Sequence, residues 1–155
     1  MNHPFNEDLQ ATLDSEDAYD FLPSGTWLSG GCVLLAESLN RLVPETELVS
    51  AGRSENRWIP DHAAVRFEED GEWFYLDYDG IQTEDEFLEK MAWEVGGERV
   101  EVRPLDPQEL EDWEMDWLRQ DVPRFARFLG SELGLMEVDR LSPCWAEGAP
   151  SPGPA

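Results

Sequence analysis

Cys32, His62 and an aspartate at position 77 or 79 are the residues whose types and order allow covalent chemistry in this chain. Cys32 closes the run Thr26-Trp27-Leu28-Ser29-Gly30-Gly31 and opens the apolar run Val33-Leu34-Leu35-Ala36. A thiol attacks as its thiolate, and the unpaired N–H groups and positive end of a helix N-terminus favour that form. The glycine pair lets a substrate carbonyl come close to the backbone. A cysteine nucleophile also needs a base to take its proton, and the base needs a third group to hold its tautomer. Of the two histidines, His3 lies in an N-terminal arm expected to be poorly ordered, which leaves His62 as the base.

Two elements must position these groups. From Ser29, which can act as a cap, Cys32, Leu35, Ala36 and Leu39 fall at i, i+3, i+4 and i+7, predicting a helix that ends near Leu42 before Pro44 and turns Cys32 inward. Between His62 and Asp79 two alternating runs flank Asp70-Gly71, a strong hairpin signal. With Asp70-Gly71 as the loop, Asp79 stands opposite His62; with Glu69-Asp70 as the loop, Asp77 does. Either register puts the carboxylate on the His62 face, because side chains alternate with period two. An aspartate there would favour the imidazolium that pairs with a thiolate.

The remaining pattern fits one α+β domain over residues 25–141. Residues 1–24 hold six acids and neither Lys nor Arg, and read as a poorly ordered acidic arm or a surface strap. Glu47 to Ala51 suits a short strand, and Gly52 to Pro60 a loop whose Arg57 and Trp58 are candidates for a pocket rim. Gly80 ends the second hairpin strand. Thr83-Glu84-Asp85-Glu86 is a capping box opening a helix to about Trp93, with Phe87, Leu88 and Met91 as its apolar stripe. Arg99 to Arg103 alternates as a third strand closed by Pro104. Pro107 to Gly134 reads as helical with a break near Pro123: Leu110, Trp113 and Trp117 form one stripe, and Phe125, Phe128, Leu129 and Leu133 the next. Residues 142–155, rich in Pro, Gly, Ala and Ser, read as a disordered tail.

These residues resemble the papain-like cysteine enzymes, and among them the transglutaminase-like core. That core carries a His-Ala-Trp-Val motif followed, after a hairpin, by Trp, two or three apolar residues and Asp. Here the chain reads His62-Ala63-Ala64-Val65 and then Trp73-Phe74-Tyr75-Leu76-Asp77. The resemblance spans roughly residues 26 to 90, and its spacing selects Asp77 over Asp79. The segment Asp79-Gly80-Ile81-Gln82-Thr83-Glu84 is also similar to one in small bacterial proteins with a Gly-Gly-Cys helix and a His-containing strand. The resemblance implies a Cys-bearing helix packed on a small antiparallel sheet, with additional helices following. It further implies acyl transfer, whether peptidase, deamidase or transglutaminase-like: Cys32 attacks an amide or ester of a peptide or protein, His62 serves as base then acid, and Asp77 orients His62. The residue after the catalytic Cys is aromatic in many relatives but is Val33 here. The upstream Gln of a papain-type oxyanion hole is missing between Trp27 and Gly31, so the donors left are the Cys32 backbone N–H and the Trp27 indole N–H, as in some transglutaminases.

Composition bounds the remainder. A chain of 155 residues with 41% hydrophobic residues, including seven Trp and seven Phe, can bury one sizeable core. Thirty-five acids against 11 basic residues give a formal charge of -24, which disfavours nucleic acid and anionic membrane as partners. That acidity fits a high-salt or Lys-poor proteome, a surface for a basic protein centred on residues 106–121, or a mimic of nucleic-acid phosphate. The rival to an enzyme is therefore a non-catalytic acidic binding protein, an inhibitor or immunity-like factor, on the same fold. Cys32 and Cys144 are too few for a disulfide scaffold, and neither a leader nor a membrane span is evident, so a cytoplasmic protein is expected. Asp61, His62, Asp77 and Asp79 lack a second His or a Cys pair at ligand spacing; no metal or cofactor is expected.

Overall fold

The protein is seen in a computed structural model that describes residues 3–22, 26–27, 31–54, 57–96, 99–105 and 116–135, with 116–120 described by backbone alone. Along the chain lie α1 (Pro4–Leu13), α2 (Glu16–Tyr19), α3 (Cys32–Leu42), β1 (Glu47–Ser54), β2 (Trp58–Glu69), β3 (Glu72–Asp77), β4 (Gly80–Thr83), α4 (Glu84–Glu94), β5 (Glu101–Pro104) and α5 (Asp116–Leu133). The fold is α+β. Among the described residues five strands form one antiparallel sheet in the order β4-β3-β2-β1-β5, a meander whose β1 edge is taken by the returning β5.

The sheet separates two apolar clusters. On one face Ala63, Val65, Phe67, Phe74, Leu76 and Ile81 pack with α1, α3 and α5. On the other, Val49, Ala51, Ala64 and Tyr75 pack with Phe87 and Met91 of α4. Helix α3 buries Val33 and Leu34 as well as the expected Cys32, Leu35, Ala36 and Leu39, as a helix sandwiched between a sheet and a second helix must. Its N-cap is Gly31 and no side chain caps it; the expected cap, Ser29, lies outside the described residues.

The N-terminal arm is a correction. Phe5, Leu9 and Leu13 recur every fourth residue and are buried along α1, Pro4 occupies the first turn, and the His3 ring accepts from the Phe5 amide as N-cap. These apolar positions outweigh the acids, which face away. Asn6 then stitches α1 to the free edge of β4, accepting from the Ile81 amide at 2.7 Å and donating to its carbonyl at 3.3 Å. Gly80, at φ +88°, makes room: a Cβ there would lie 2.2 Å from Asn6 Cγ. An exposed strand edge is thereby covered.

Three further expectations change. Gly80 opens a short strand, β4, rather than closing β3, which ends at Asp77. The loop expected over Gly52 to Pro60 is largely strand, with β1 running to Ser54 and β2 beginning at Trp58. Helix α5 runs through Pro123 without ending, because Val122, Phe125, Ala126 and Leu129 hold both sides of the proline in the core. Leu110, Trp113, residues 106–115 of the acidic face, and the tail 142–155 lie outside the described residues, as do the side chains of 116–120. Among the described residues no helix is long and apolar enough to cross a membrane.

Candidate active site

The hairpin has Asp70-Gly71 as its loop, with both residues at positive φ (54° and 83°), the conformation a two-residue primed turn requires. The register follows: Glu69 pairs with Glu72 and Val65 with Leu76, where the ladder ends. Extending that register sets Asp79 opposite His62, yet the partner of His62 is Asp77, its diagonal neighbour on the same face. His62 Nε2 meets Asp77 Oδ2 at 2.8 Å. On the β1 side, Ala51 pairs with His62 and Gly52 with Pro60, so Asp61 is an extra, bulged residue. A Cβ on Gly52 would sit 2.1 Å from the Ile59 carbonyl oxygen, so the bulge depends on glycine there. Asp61 turns away to a two-pronged pair with Arg53, at 2.9 and 3.1 Å, and takes no part in the site.

Cys32, at the first turn of α3, reaches His62 from the opposite layer of the sheet. Its thiol lies near enough to the His62 ring and the Ala63 amide for both to favour the thiolate. An ionised Asp77 can only accept, so Nε2 donates to it and Nδ1 is the ring nitrogen left for Cys32. The three groups are nearly closed to solvent, at 6% exposure for Cys32, 3% for His62 and 2% for Asp77.

Asp77 is the hub. Oδ2 also takes Lys90 Nζ at 2.5 Å, while Oδ1 accepts from Gln82 Nε2 at 2.7 Å and from the Asp79 amide at 2.9 Å. A buried carboxylate is costly unless its lone pairs are filled, and here four donors fill them. Asp79 is thus not the partner of His62; its Oδ2 holds Lys90 at 3.0 Å. Gln82 is fixed in turn by the Gly80 carbonyl at 3.0 Å. Lys90 and Gln82 were not expected in the site. The available signals were that Lys90, the one lysine of the chain, stands three residues after Phe87 on the sheet-facing stripe of α4, and that Gln82 alternates with Ile81 in a buried strand.

The electrostatics follow from this closure. Burial pushes the Cys32 thiol up, but the hydrogen bond and charge of His62, with the Ala63 amide, outweigh it and bring the thiol below its ordinary value of 9.0. Burial likewise opposes the His62 imidazolium, yet its bonds to Asp77 and Cys32 raise it from 6.5 to about 10. Asp77 is held far below the usual carboxylate range: burial raises it, and His62 and Lys90 together overcome that. Both shifts therefore run toward a thiolate–imidazolium pair.

Trp27 is a correction. Its indole N–H donates to the Leu13 carbonyl at 2.7 Å and its ring stacks on Phe125 with centroids 4.9 Å apart, so it anchors α1 and α5 rather than offering a second donor to a substrate oxygen. Among the described residues, the first amides of α3 have no acceptor within the helix, since its opening bond runs from the Leu35 amide to the Gly31 carbonyl. Trp58 of the expected rim lies under the Arg103 guanidinium, 4.1 Å from its ring centroid, and Arg57 is exposed. Among the described residues, an open cleft of about 880 Å³ is lined by Glu86, Glu89, Lys90, Ala92, Trp93 and Gly96, and touches none of Cys32, His62 and Asp77. Compared with protein-family models, curated proteins and solved structures, the chain finds no match in any of the three.

Proposed function

We propose that this protein is a cysteine-dependent acyl-transfer enzyme with a Cys32-His62-Asp77 triad of the papain-like, transglutaminase-like kind. The observation that carries the reading is the joint burial of Cys32, His62 and Asp77, with His62 hydrogen-bonded to a fully satisfied Asp77 and Cys32 and His62 acting on each other electrostatically. Such an arrangement supplies nucleophile, base and orienting group together.

In the first half-reaction the Cys32 thiolate attacks the carbonyl carbon of an amide or ester. The carbonyl electrons move to oxygen, and that developing charge lies near the first amides of α3. His62 gives its proton to the departing amine or alcohol as the C–N or C–O bond breaks, leaving a thioester on Cys32. Water or a primary amine, deprotonated by His62, then attacks the thioester, and Cys32 leaves as the thiolate. Asp77 stays ionised throughout and keeps Nε2 protonated, so Nδ1 performs both transfers.

The test is to incubate the protein with activated acyl esters and with peptide amides, and to follow intact mass. An acyl adduct on wild type that is absent from Cys32→Ala, with turnover lost in the same variant, is the expected result. Turnover that survives Cys32→Ala, or no adduct from any ester in the presence of a demonstrably reactive thiol, overturns the reading.

A further inference from the structure

We propose that Lys90 is a positioning residue that sets the pH range over which the Cys32–His62 couple is armed, by sharing one carboxylate oxygen of Asp77 with His62. The proposal rests on the acyl-transfer reading and specifies how that site is tuned.

Two donors converge on Asp77 Oδ2: His62 Nε2 at 2.8 Å and Lys90 Nζ at 2.5 Å. A second anchor, Asp79 Oδ2 at 3.0 Å, holds the ammonium in place, and its position over the Phe87 ring, 5.1 Å from the centroid, fixes it from below. Phe87 also lies beside the His62 ring, at 6.2 Å between centroids, so one aromatic side chain backs both. The placement is specific to this position of α4. Asp85, Glu86 and Glu89 face outward and are exposed, whereas Lys90 turns to the sheet beside Met91. Among the described residues the charged groups around His62 are Cys32 from α3 and Asp77 from β3, and, reaching it through Asp77, Lys90 from α4 with its second partner Asp79; Gln82 of β4 is a neutral donor to Asp77.

The consequence is a matter of charge. With Lys90 in place Asp77 is already neutralised, so an imidazolium on His62 meets a balanced pair rather than a bare carboxylate. Passing the Cys32 proton to His62 leaves the net charge of the four groups Cys32, His62, Asp77 and Lys90 at zero. Lys90 repels the imidazolium that shares its oxygen, and it attracts the thiolate less because the imidazole ring intervenes. Both titrations of the couple are therefore held at lower pH than an unpaired Asp77 would allow, and that of His62 more so. The aspartate keeps its role of orienting the ring while its pull on the proton is moderated.

The experiment is the rate of iodoacetamide alkylation of Cys32 against pH, with Cys144→Ser as the background, combined with the imidazole titration of His62 by NMR. Relative to that background, Lys90→Met is expected to move the upper, His62 limb to higher pH by about one unit and the lower limb by less. Lys90→Arg, which keeps the charge, is expected to move both limbs by less than about a third of a unit. Asp79→Asn, on a partly exposed turn, removes a negative charge from Lys90 and is expected to shift the His62 limb the other way; it carries the test if Lys90→Met does not fold. Limbs unmoved in a folded Lys90→Met, equal shifts in Met and Arg variants, or an upward shift in Asp79→Asn overturn the proposal while leaving an activated thiol. A background thiol that titrates like a free cysteine overturns the acyl-transfer reading and the proposal together.

Discussion

The two faces of the sheet are built for different ends. The face toward α1, α3 and α5 is a continuous apolar core in which Leu9, Leu13, Leu34, Leu39, Leu76 and Phe125 are fully buried and Trp27 stacks on Phe125. The face toward α4 has a smaller cluster, and at its end four ionisable or polar side chains, His62, Asp77, Gln82 and Lys90, are buried or half-buried together. Cys32 belongs to the first layer by its helix and to the second by its interaction with His62. Non-directional packing holds the first face and would tolerate exchanges of similar volume. The second depends on every donor meeting its acceptor, because a buried charge left alone costs more than a methylene lost from a core.

That contrast orders the expected effects. Asp77→Ala strands His62 and Lys90 and is expected to cost about 3–5 kcal/mol of unfolding free energy in urea, together with the loss of enhanced Cys32 alkylation. A stability within about 1 kcal/mol of wild type would mean the polar cluster is looser than described. Phe125→Ala is expected to cost about 3–5 kcal/mol as well, through the cavity it leaves against Trp27 and Phe21, while the pH profile of Cys32 in the folded fraction stays unchanged. A shifted profile in that variant would show that the two faces are not separable.

Proton linkage tests the polar face without substituting any residue. His62 is raised to about 10 in the folded state, so its contribution to stability is complete below the unfolded value near 6.5 and is lost as pH rises through about 10. Cys32 is lowered, so its contribution is present above the ordinary thiol value and is lost as pH falls through the folded one. Because the gain at Cys32 offsets the loss at His62 up to the ordinary thiol value, urea midpoints are expected to drop between about pH 9 and about pH 10 in wild type and less in His62→Gln; equal alkaline losses in the two proteins would contradict the assigned pair. The smallest effect expected is at the sheet edge. Asn6→Ala removes two hydrogen bonds to Ile81 and is expected to cost about 1 kcal/mol and to speed hydrogen exchange of the Ile81 amide, with the Cys32 profile intact.

The same contrast explains what could be read from the sequence. Cys32, His62 and Asp77 stood out because reactive residue types fell at a helix start and in a hairpin whose period-two alternation puts His62 and Asp77 on one face in either register. The register alone would have chosen Asp79. Only the diagonal reach from His62 to Asp77 across the end of the ladder makes the pair, and the motif spacing carried that information where pairing arithmetic did not. Lys90 escaped because an isolated lysine among Glu86, Glu89 and Glu94 reads as solvated; its role depends on a tertiary contact between α4 and β3. The N-terminal helices escaped because acidic composition hid a stripe of only three buried positions, Phe5, Leu9 and Leu13. Trp27 shows the converse: an indole N–H beside a nucleophile suggested a donor to substrate, and the Leu13 carbonyl of the unexpected α1 had already taken it.

The central claim is that His62 activates Cys32. It is tested most directly by the rate of iodoacetamide alkylation of Cys32 against pH in protein carrying Cys144→Ser, with and without His62→Ala. The account predicts a thiolate reactive well below the free-cysteine value of about 8.5, and the loss of that reactivity in His62→Ala. A thiol that is inert, or that titrates near the free value whether or not His62 is present, would contradict it and favour an acidic binding protein on this fold.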